Sequence, residues 1–145
     1  MFKIILLFSI LCFSNANAFW TVCSEGQPPN TMTSPSCSGS SCTVIRGGTL
    51  TGTINFTPQI SASILNFYAI LYHLGVETEI PISEANRNAC NHLTPGCPTT
   101  AGTPTNWAIN FPIPTNLPAV TAPITLELWF GISPVMCANI TAVIV

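Results

Sequence analysis

Proline and glycine interrupt this chain so often that long helices do not fit between them. The sequence contains 13 prolines and 9 glycines, which recur at short intervals from Gly26 to Pro134. Proline removes a backbone donor and clashes with the preceding helical turn, and glycine weakens a helix through its backbone entropy. The short runs between them are rich in Val, Ile, Thr, Phe and Leu, which favour strands. We therefore predict a single all-β domain, built as a two-sheet β-sandwich.

Four of these runs alternate in the way expected of strands with one buried face. They cover residues 50–57, 107–113, 124–131 and 138–145, and Pro112 and Pro114 in the second run favour an edge or a bulge. The residues expected to face inward are Leu50, Gly52, Ile54 and Phe56; Trp107, Ile109, Phe111 and Ile113; Ile124, Leu126, Leu128 and Phe130; and Ala138, Ile140, Ala142 and Ile144.

The run 64–76 differs from the others because apolar residues follow one another without alternation. Such a run suits either a central strand covered on both faces or a short buried helix. Phe67, Tyr68 and Tyr72 favour the strand by propensity, and Gly75 ends it. We therefore predict a strand with both faces covered.

The first 18 residues have the pattern of a secretory signal peptide. Lys3 supplies the basic start, residues 4–13 are almost entirely apolar, and Ala16-Asn17-Ala18 is an A-x-A cleavage site. The apolar run is too short for a membrane anchor, because a spanning helix needs about 20 residues. We predict a signal peptide over 1–18, a domain over 19–145 and no transmembrane segment. The protein is then secreted, or resides in the lysosomal or endosomal lumen.

The cysteine count fits an oxidising compartment. Of the 7 cysteines, Cys12 lies in the predicted signal peptide, and the remaining even set is Cys23, Cys37, Cys42, Cys90, Cys97 and Cys137. An even number of cysteines in a secreted protein indicates disulfides. Six cysteines permit fifteen pairings, and their spacing alone does not select one.

Two close pairs are nevertheless suggestive. Cys37 with Cys42, and Cys90 with Cys97, lie in turn-rich stretches where a small loop can be closed. If both close pairs are bonded, Cys23 and Cys137 remain to pair with each other. A zinc site made from Cys90, His92 and Cys97 is the alternative, but its spacing matches no standard pattern. We expect no metal and no other cofactor.

The low charge of the chain excludes several functions. Only 6% of the residues are charged, with 3 Lys+Arg against 5 Asp+Glu, and Asp is absent. A nucleic-acid partner is not expected, because too few cations are present to neutralise a run of phosphates. A Ser-His-Asp triad lacks its acid. Glu77, Glu79 and His73 remain as candidates for a hydrolase, but we interpret the two glutamates as a solvated strand edge and expect no enzyme.

Two sequons place asparagine on outward positions of alternating strands. They are Asn55-Phe56-Thr57 and Asn139-Ile140-Thr141, and both match the N-glycosylation pattern. We predict glycans at Asn139 and Asn55, with Asn139 the better acceptor because Pro58 follows the first sequon.

The spacing of cysteines, glycines and prolines resembles the ML lipid-recognition domain family. The likeness is greatest to its soluble Niemann–Pick type C sterol-carrier branch, which includes arthropod secreted proteins and the group-two mite allergens. It covers residues 19–145. The motifs that carry it are Cys37-x4-Cys42 followed by Val44, Arg46 and Gly47; the strand ending Asn55-Phe56-Thr57; Leu74-Gly75-Val76; Ile80-Pro81; Cys90-x6-Cys97-Pro98; Leu117-Pro118; and Cys137 in the last strand.

The resemblance implies an immunoglobulin-like β-sandwich with an apolar cavity between its sheets, in which one lipid binds. It also implies the disulfides Cys23–Cys137, Cys37–Cys42 and Cys90–Cys97. The positions that correspond to the family's pocket and its entrance are Val44, Leu50, Ile54, Phe56, Ile80, Leu117, Pro118, Ala119, Ala122, Pro123, Leu126, Leu128, Phe130, Ala138 and Ile140.

Two departures from the sterol carriers affect the expected ligand. Ala122 stands where those proteins have Tyr, and Ala138 where they have Trp, so we expect a wider or differently shaped cavity. A fatty acid or another elongated lipid then fits as well as a sterol. The resemblance implies a monomeric carrier of one hydrophobic ligand. The alternative is an innate-immune co-receptor that presents a microbial lipid to a partner.

Overall fold

The computed structural model describes residues 19–145, and there the predicted all-β sandwich is confirmed. The predicted signal peptide over 1–18 lies outside the described residues. The strands are β1 (Trp20–Val22), β2 (Thr31–Thr33), β3 (Cys37–Ser38), β4 (Ser41–Val44), β5 (Thr49–Phe56), β6 (Asn66–His73), β7 (Val76–Glu79), β8 (Leu93–Thr94), β9 (Thr105–Pro112), β10 (Thr121–Phe130) and β11 (Ser133–Ile144). A single-turn helix, α1 (Glu84–Arg87), precedes a 3-10 helix (Ala89–His92). No helix within residues 19–145 has the length and apolar character needed to cross a membrane.

The strands form two sheets of unequal size. Sheet A has the order β3-β4-β11-β10-β6-β7, with β1 also paired to β11, and sheet B has the order β2-β5-β9-β8. The pairing of β4 with β11 is parallel, whereas the other strand pairs are antiparallel. In sheet B, β8 pairs with β9 only opposite Trp107 and Asn106. Pro112 therefore lies on a part of β9 that is an edge, as a strand proline requires.

The alternating runs place their apolar residues inward, as predicted. Of the sixteen residues expected to face inward, all are buried except Gly52 and Phe130, which are half-buried. Phe130 differs because the pairing of β10 with β11 shifts register between Leu128 and Trp129. The two inner faces meet in one continuous apolar core.

The predicted covering of both faces of the run 64–76 is wrong. The run contains the strand β6, and within β6 only Phe67, Ala69 and Leu71 are buried. Tyr68 is half-buried, and the side chain of Tyr72 is 48% exposed. The reason is that sheet A has a second layer on one side only, and its other side faces solvent.

Three disulfides connect the chain. Cys23 is bonded to Cys137 and Cys37 to Cys42, which are pairings that the resemblance implies. Cys90 is bonded to Cys97, so these two cysteines are not the free thiolates that the zinc alternative requires. The first bond ties β11, in the middle of sheet A, to the residues that follow β1.

Gly52 of β5 lies in close contact with the backbone at the end of β2. A Cβ atom at this position would lie 2.5 Å from the carbonyl oxygen of Thr33 and 3.1 Å from Cβ of Ser34. The Ser34 hydroxyl also donates a hydrogen bond to the Thr51 carbonyl oxygen over 2.6 Å. The segment after β2 is therefore held against a position where only glycine fits.

We expect Gly52→Ala to lower the free energy of unfolding by about 2 kcal/mol, because the backbone has to move away from the new methyl group. Urea unfolding followed by circular dichroism measures the loss. Gly96→Ala is the control, since a Cβ at Gly96 has no neighbour within 4 Å. Equal stability of the two variants would contradict this role of Gly52.

Candidate functional site

The inner face of sheet A carries four buried alanines among larger apolar residues. Ala69 and Ala138 flank Leu126 in one cross-strand row, and Ala122 is paired with Ala142. A methyl group extends less far from a sheet than a leucine or isoleucine side chain. At these rows the space between the sheets must be filled by side chains of sheet B or by another molecule.

An aromatic cluster bridges the two sheets. Phe67 of sheet A contacts Trp107 and Phe111 of sheet B, with ring centroids 4.7 and 5.5 Å apart and interplanar angles of 72° and 80°. Edge-to-face contacts at such distances are favourable. Phe67 is paired with Leu128 near the end of β10, whereas Ala122 lies near its start. Ala69 and Ala138 thus lie in the row next to Phe67, and only the pair Ala122 and Ala142 lies at the far end of sheet A.

The interior offers almost no polar chemistry. Thr99 and Thr105 are the only buried polar side chains among residues 19–145. Thr99 Oγ1 accepts a hydrogen bond from the backbone N–H of Ala62 over 2.8 Å and donates to the carbonyl of Ile60 over 3.2 Å. Thr105 Oγ1 donates to the carbonyl of Thr103 over 3.2 Å. Because neither hydroxyl donor remains unpaired, the interior offers apolar contact and no free hydroxyl donor.

The predicted pocket residues mostly belong to this interior. Eleven of the fifteen are buried in the one apolar core, and Phe130 packs against it while partly exposed. The buried ones are Val44, Leu50, Ile54, Phe56, Ile80, Leu117, Ala122, Leu126, Leu128, Ala138 and Ile140. Their contact with a ligand stays a prediction.

The three remaining predicted residues lie at the surface. Pro118 and Ala119 are exposed in the segment that leads into β10, next to the end of the interior where Ala122 lies. Pro123 is exposed on the outer face of sheet A, because consecutive residues of a strand point to opposite faces. That Pro123 belongs to the entrance of the pocket stays a prediction.

Both sequon asparagines lie on outer faces, as the alternation predicts. Asn139 accepts a hydrogen bond from the hydroxyl of Thr125 on the neighbouring strand. Asn55 Nδ2 donates to Asn106 Oδ1 over 2.8 Å, and Asn55 Oδ1 accepts from Asn30 Nδ2 over 2.9 Å. Both side chains are half-buried by these neighbours.

Two of the three hydrolase candidates lie on an exposed strand, whereas His73 is half-buried at the end of β6. Glu77 and Glu79 belong to β7, whose four residues are all exposed. Arg87 Nη2 donates to Glu79 Oε1 over 2.9 Å and forms an ion pair at the surface. Within residues 19–145, no group of three or more His, Cys, Asp or Glu side chains is arranged to hold a metal ion.

A surface groove on the outer face of sheet A was not predicted from the sequence. It has a volume of about 250 Å³ and is lined by Tyr68, Ile70, Glu127, Trp129 and Gly131. The one feature of the sequence that could have indicated this groove is the succession of apolar residues in β6. It indicated an apolar outer face but not the partners that complete the groove.

The fold and its interior define a class: an immunoglobulin-like sandwich whose inner faces are almost entirely apolar. Comparison with known proteins agrees, because the family profile of the ML domain matches residues 17–144. The chain therefore belongs to the ML domain family.

A solved structure supports the fold independently. The crystal structure of a Niemann–Pick type C2 protein from the Japanese carpenter ant superposes with a TM-score of 0.71. The two sequences are 20% identical, and the match covers 85% of this chain and 96% of that one. No curated protein sequence matches the chain significantly.

Proposed function

We propose that this protein carries one hydrophobic ligand, a sterol, a fatty acid or a related lipid, between its two sheets and leaves it chemically unchanged. The observation that carries the proposal is the apolar interior with four alanines on the inner face of sheet A, in a chain of the ML domain family. Transfer of apolar surface out of water supplies the binding free energy, at about 25 cal/mol per Å². A few hundred Å² of buried lipid then contribute on the order of 10 kcal/mol before ordering costs.

The entrance is proposed at the segment that precedes β10. Leu117 is buried there, whereas Pro118 and Ala119 are exposed. Ala122, the first buried residue of β10, follows directly. A ligand entering here meets the small side chains of Ala122 and Ala142 first. The polar head of a lipid then stays at the surface, because the interior has no hydrogen-bonding group to spare.

A titration of delipidated protein tests the proposal. A fluorescent sterol and a fluorescent fatty acid are offered separately, and we expect at least one to bind as a single molecule per chain with sub-micromolar affinity. Protein that has been reduced and unfolded is the control, since it has no interior. Failure of both ligands to bind above micromolar affinity would contradict the proposed function.

Secretion and glycosylation are proposed with it. Expressed with its leader in a eukaryotic secretory cell, the protein is expected in the medium with Phe19 as its first residue and a glycan on Asn139. Intact mass before and after enzymatic deglycosylation measures both. Asn139→Gln should remove one glycan, and Asn55→Gln reports separately on the other sequon. Retention of the whole chain in the cell, or a mass that deglycosylation leaves unchanged, would contradict these expectations.

A further inference from the structure

The groove on the outer face of sheet A is separate from the interior. Its side chains come from outward positions of β6 and β10, and the inward positions of the same strands form the core. Glu127 is paired with Tyr68 across the two strands, and Trp129 lies diagonally beside this pair. The carboxylate therefore lies between two aromatic side chains.

The Glu127 carboxylate is held in place but has no cationic partner. Trp129 Nε1 donates a hydrogen bond to Glu127 Oε2 over 2.7 Å. The second oxygen, Oε1, lies 4.0 Å from the disulfide sulfur of Cys137, which has no proton to donate. Among residues 19–145, the one ion pair within 4.0 Å joins Arg87 to Glu79. A part-buried negative charge thus lines the groove without a cationic group within 4.0 Å of it.

The same surface already holds one cation against an aromatic ring and a carboxylate. The Arg87 guanidinium lies 4.6 Å from the ring centroid of Tyr68 and forms its ion pair with Glu79. Cations are attracted to aromatic faces and to carboxylates by the same electrostatics. Trp129 and Glu127 likewise place an aromatic ring beside a carboxylate, on the neighbouring strand. No cation from residues 19–145 forms an ion pair with Glu127.

We propose that this groove binds a small organic cation with an alkylammonium head, of which choline is the simplest example. The ring of Trp129 contacts the methyl groups, and the Glu127 carboxylate balances the charge. The groove is smaller than the roughly 300–1,000 Å³ of pockets for drug-sized ligands, so a head group fits it better than a whole lipid does. A neutral sugar would gain stacking on Trp129 but nothing from the uncompensated charge.

Choline chloride tests the proposal against its neutral carbon isostere, in which a quaternary carbon replaces the nitrogen. Chemical-shift titration of the full domain measures both affinities. We expect choline to bind at least about tenfold more tightly than the isostere, because only choline carries the charge. Shift changes should be confined to residues that line the groove.

Two variants and a matched control locate the site. Glu127→Gln keeps an oxygen that accepts the Trp129 hydrogen bond, and it should weaken choline binding by at least about fivefold. Trp129→Ala should weaken it similarly, with circular dichroism confirming the fold. Glu77→Gln removes an exposed carboxylate outside the groove, and its affinity should equal that of the unmodified protein.

Vesicles of phosphatidylcholine and of phosphatidylglycerol distinguish a lipid head group from a free cation. If the protein binds phosphatidylcholine vesicles and Glu127→Gln abolishes that binding, the ligand is the lipid head group. If the protein binds choline but not the vesicles, the ligand is the free cation. Both results support the site. The proposal is overturned if choline does not bind at millimolar concentration, if the isostere binds equally well, or if Glu127→Gln leaves choline binding unchanged.

Discussion

Replacing Cys23 and Cys137 together by alanine is expected to lower the free energy of unfolding by about 5 kcal/mol. The bond joins residues separated by 114 positions, so it closes nearly the whole described chain into one loop. The stabilisation grows with loop length because a longer closed loop restricts the unfolded chain more. A loss of this size is comparable to the total stability of many small domains. Equilibrium unfolding in urea measures it.

The matched control is the pair Cys37→Ala and Cys42→Ala. These residues are separated by 5 positions, so their bond should contribute only about 2 kcal/mol. Alanine is chosen in both cases because serine would bury a hydroxyl group at Cys137. If both double variants lose the same stability, the loop between Cys23 and Cys137 does not have the role assigned to it.

Ala138→Trp is expected to lower lipid affinity by nearly three orders of magnitude while the domain stays folded. Ala138 is fully buried on the inner face of β11, beside Leu126. A buried indole covers at least about 150 Å², and the ligand loses that much apolar contact, about 4 kcal/mol at 25 cal/mol per Å². If a ligand occupies this space, the unliganded variant should lose less than about 1 kcal/mol of stability, because the indole fills room that the ligand vacates. Lipid titration and urea unfolding are measured on the same protein.

Tryptophan substitutions at two other alanines serve as controls for Ala138→Trp. Ala108→Trp adds the same side chain at an exposed position of β9, and it should change neither affinity nor stability. Ala89→Trp adds it at a buried position of the 3-10 helix, where overpacking should cost about 1–3 kcal/mol. An Ala138→Trp variant as destabilised as Ala89→Trp would show a filled interior, and one with unchanged affinity would place the ligand elsewhere.

The inner faces of the sandwich could be predicted because alternation is a local property of the sequence. In β5 and β11 each inward residue is recognisable from its two neighbours, and Leu50, Ile54 and Ile140 are buried accordingly. The pairs Cys37–Cys42 and Cys90–Cys97 are also close in sequence, so their spacing suggested them as candidates. The interior part of the candidate site follows from the same alternation together with the family resemblance.

The outer groove could not be predicted, because it depends on register between distant strands. Tyr68 and Glu127 become neighbours only when β6 pairs with β10. The alternation over residues 124–131 indicates that Glu127 and Trp129 point outward, but not which side chains of another strand lie beside them. The run 64–76 showed an unusual second apolar face but could not tell whether another layer covers it.

Native mass spectrometry of the purified, disulfide-bonded protein tests the central claim most directly. After exposure to a mixture of sterols, fatty acids and phospholipids, followed by removal of unbound lipid, the protein is predicted to carry a mass increase equal to one lipid molecule. Ala138→Trp should reduce the occupied fraction, and Ala108→Trp should leave it unchanged. A spectrum that shows only the bare chain, for protein taken from its natural source and for protein exposed to the mixture, would contradict a ligand-carrying interior.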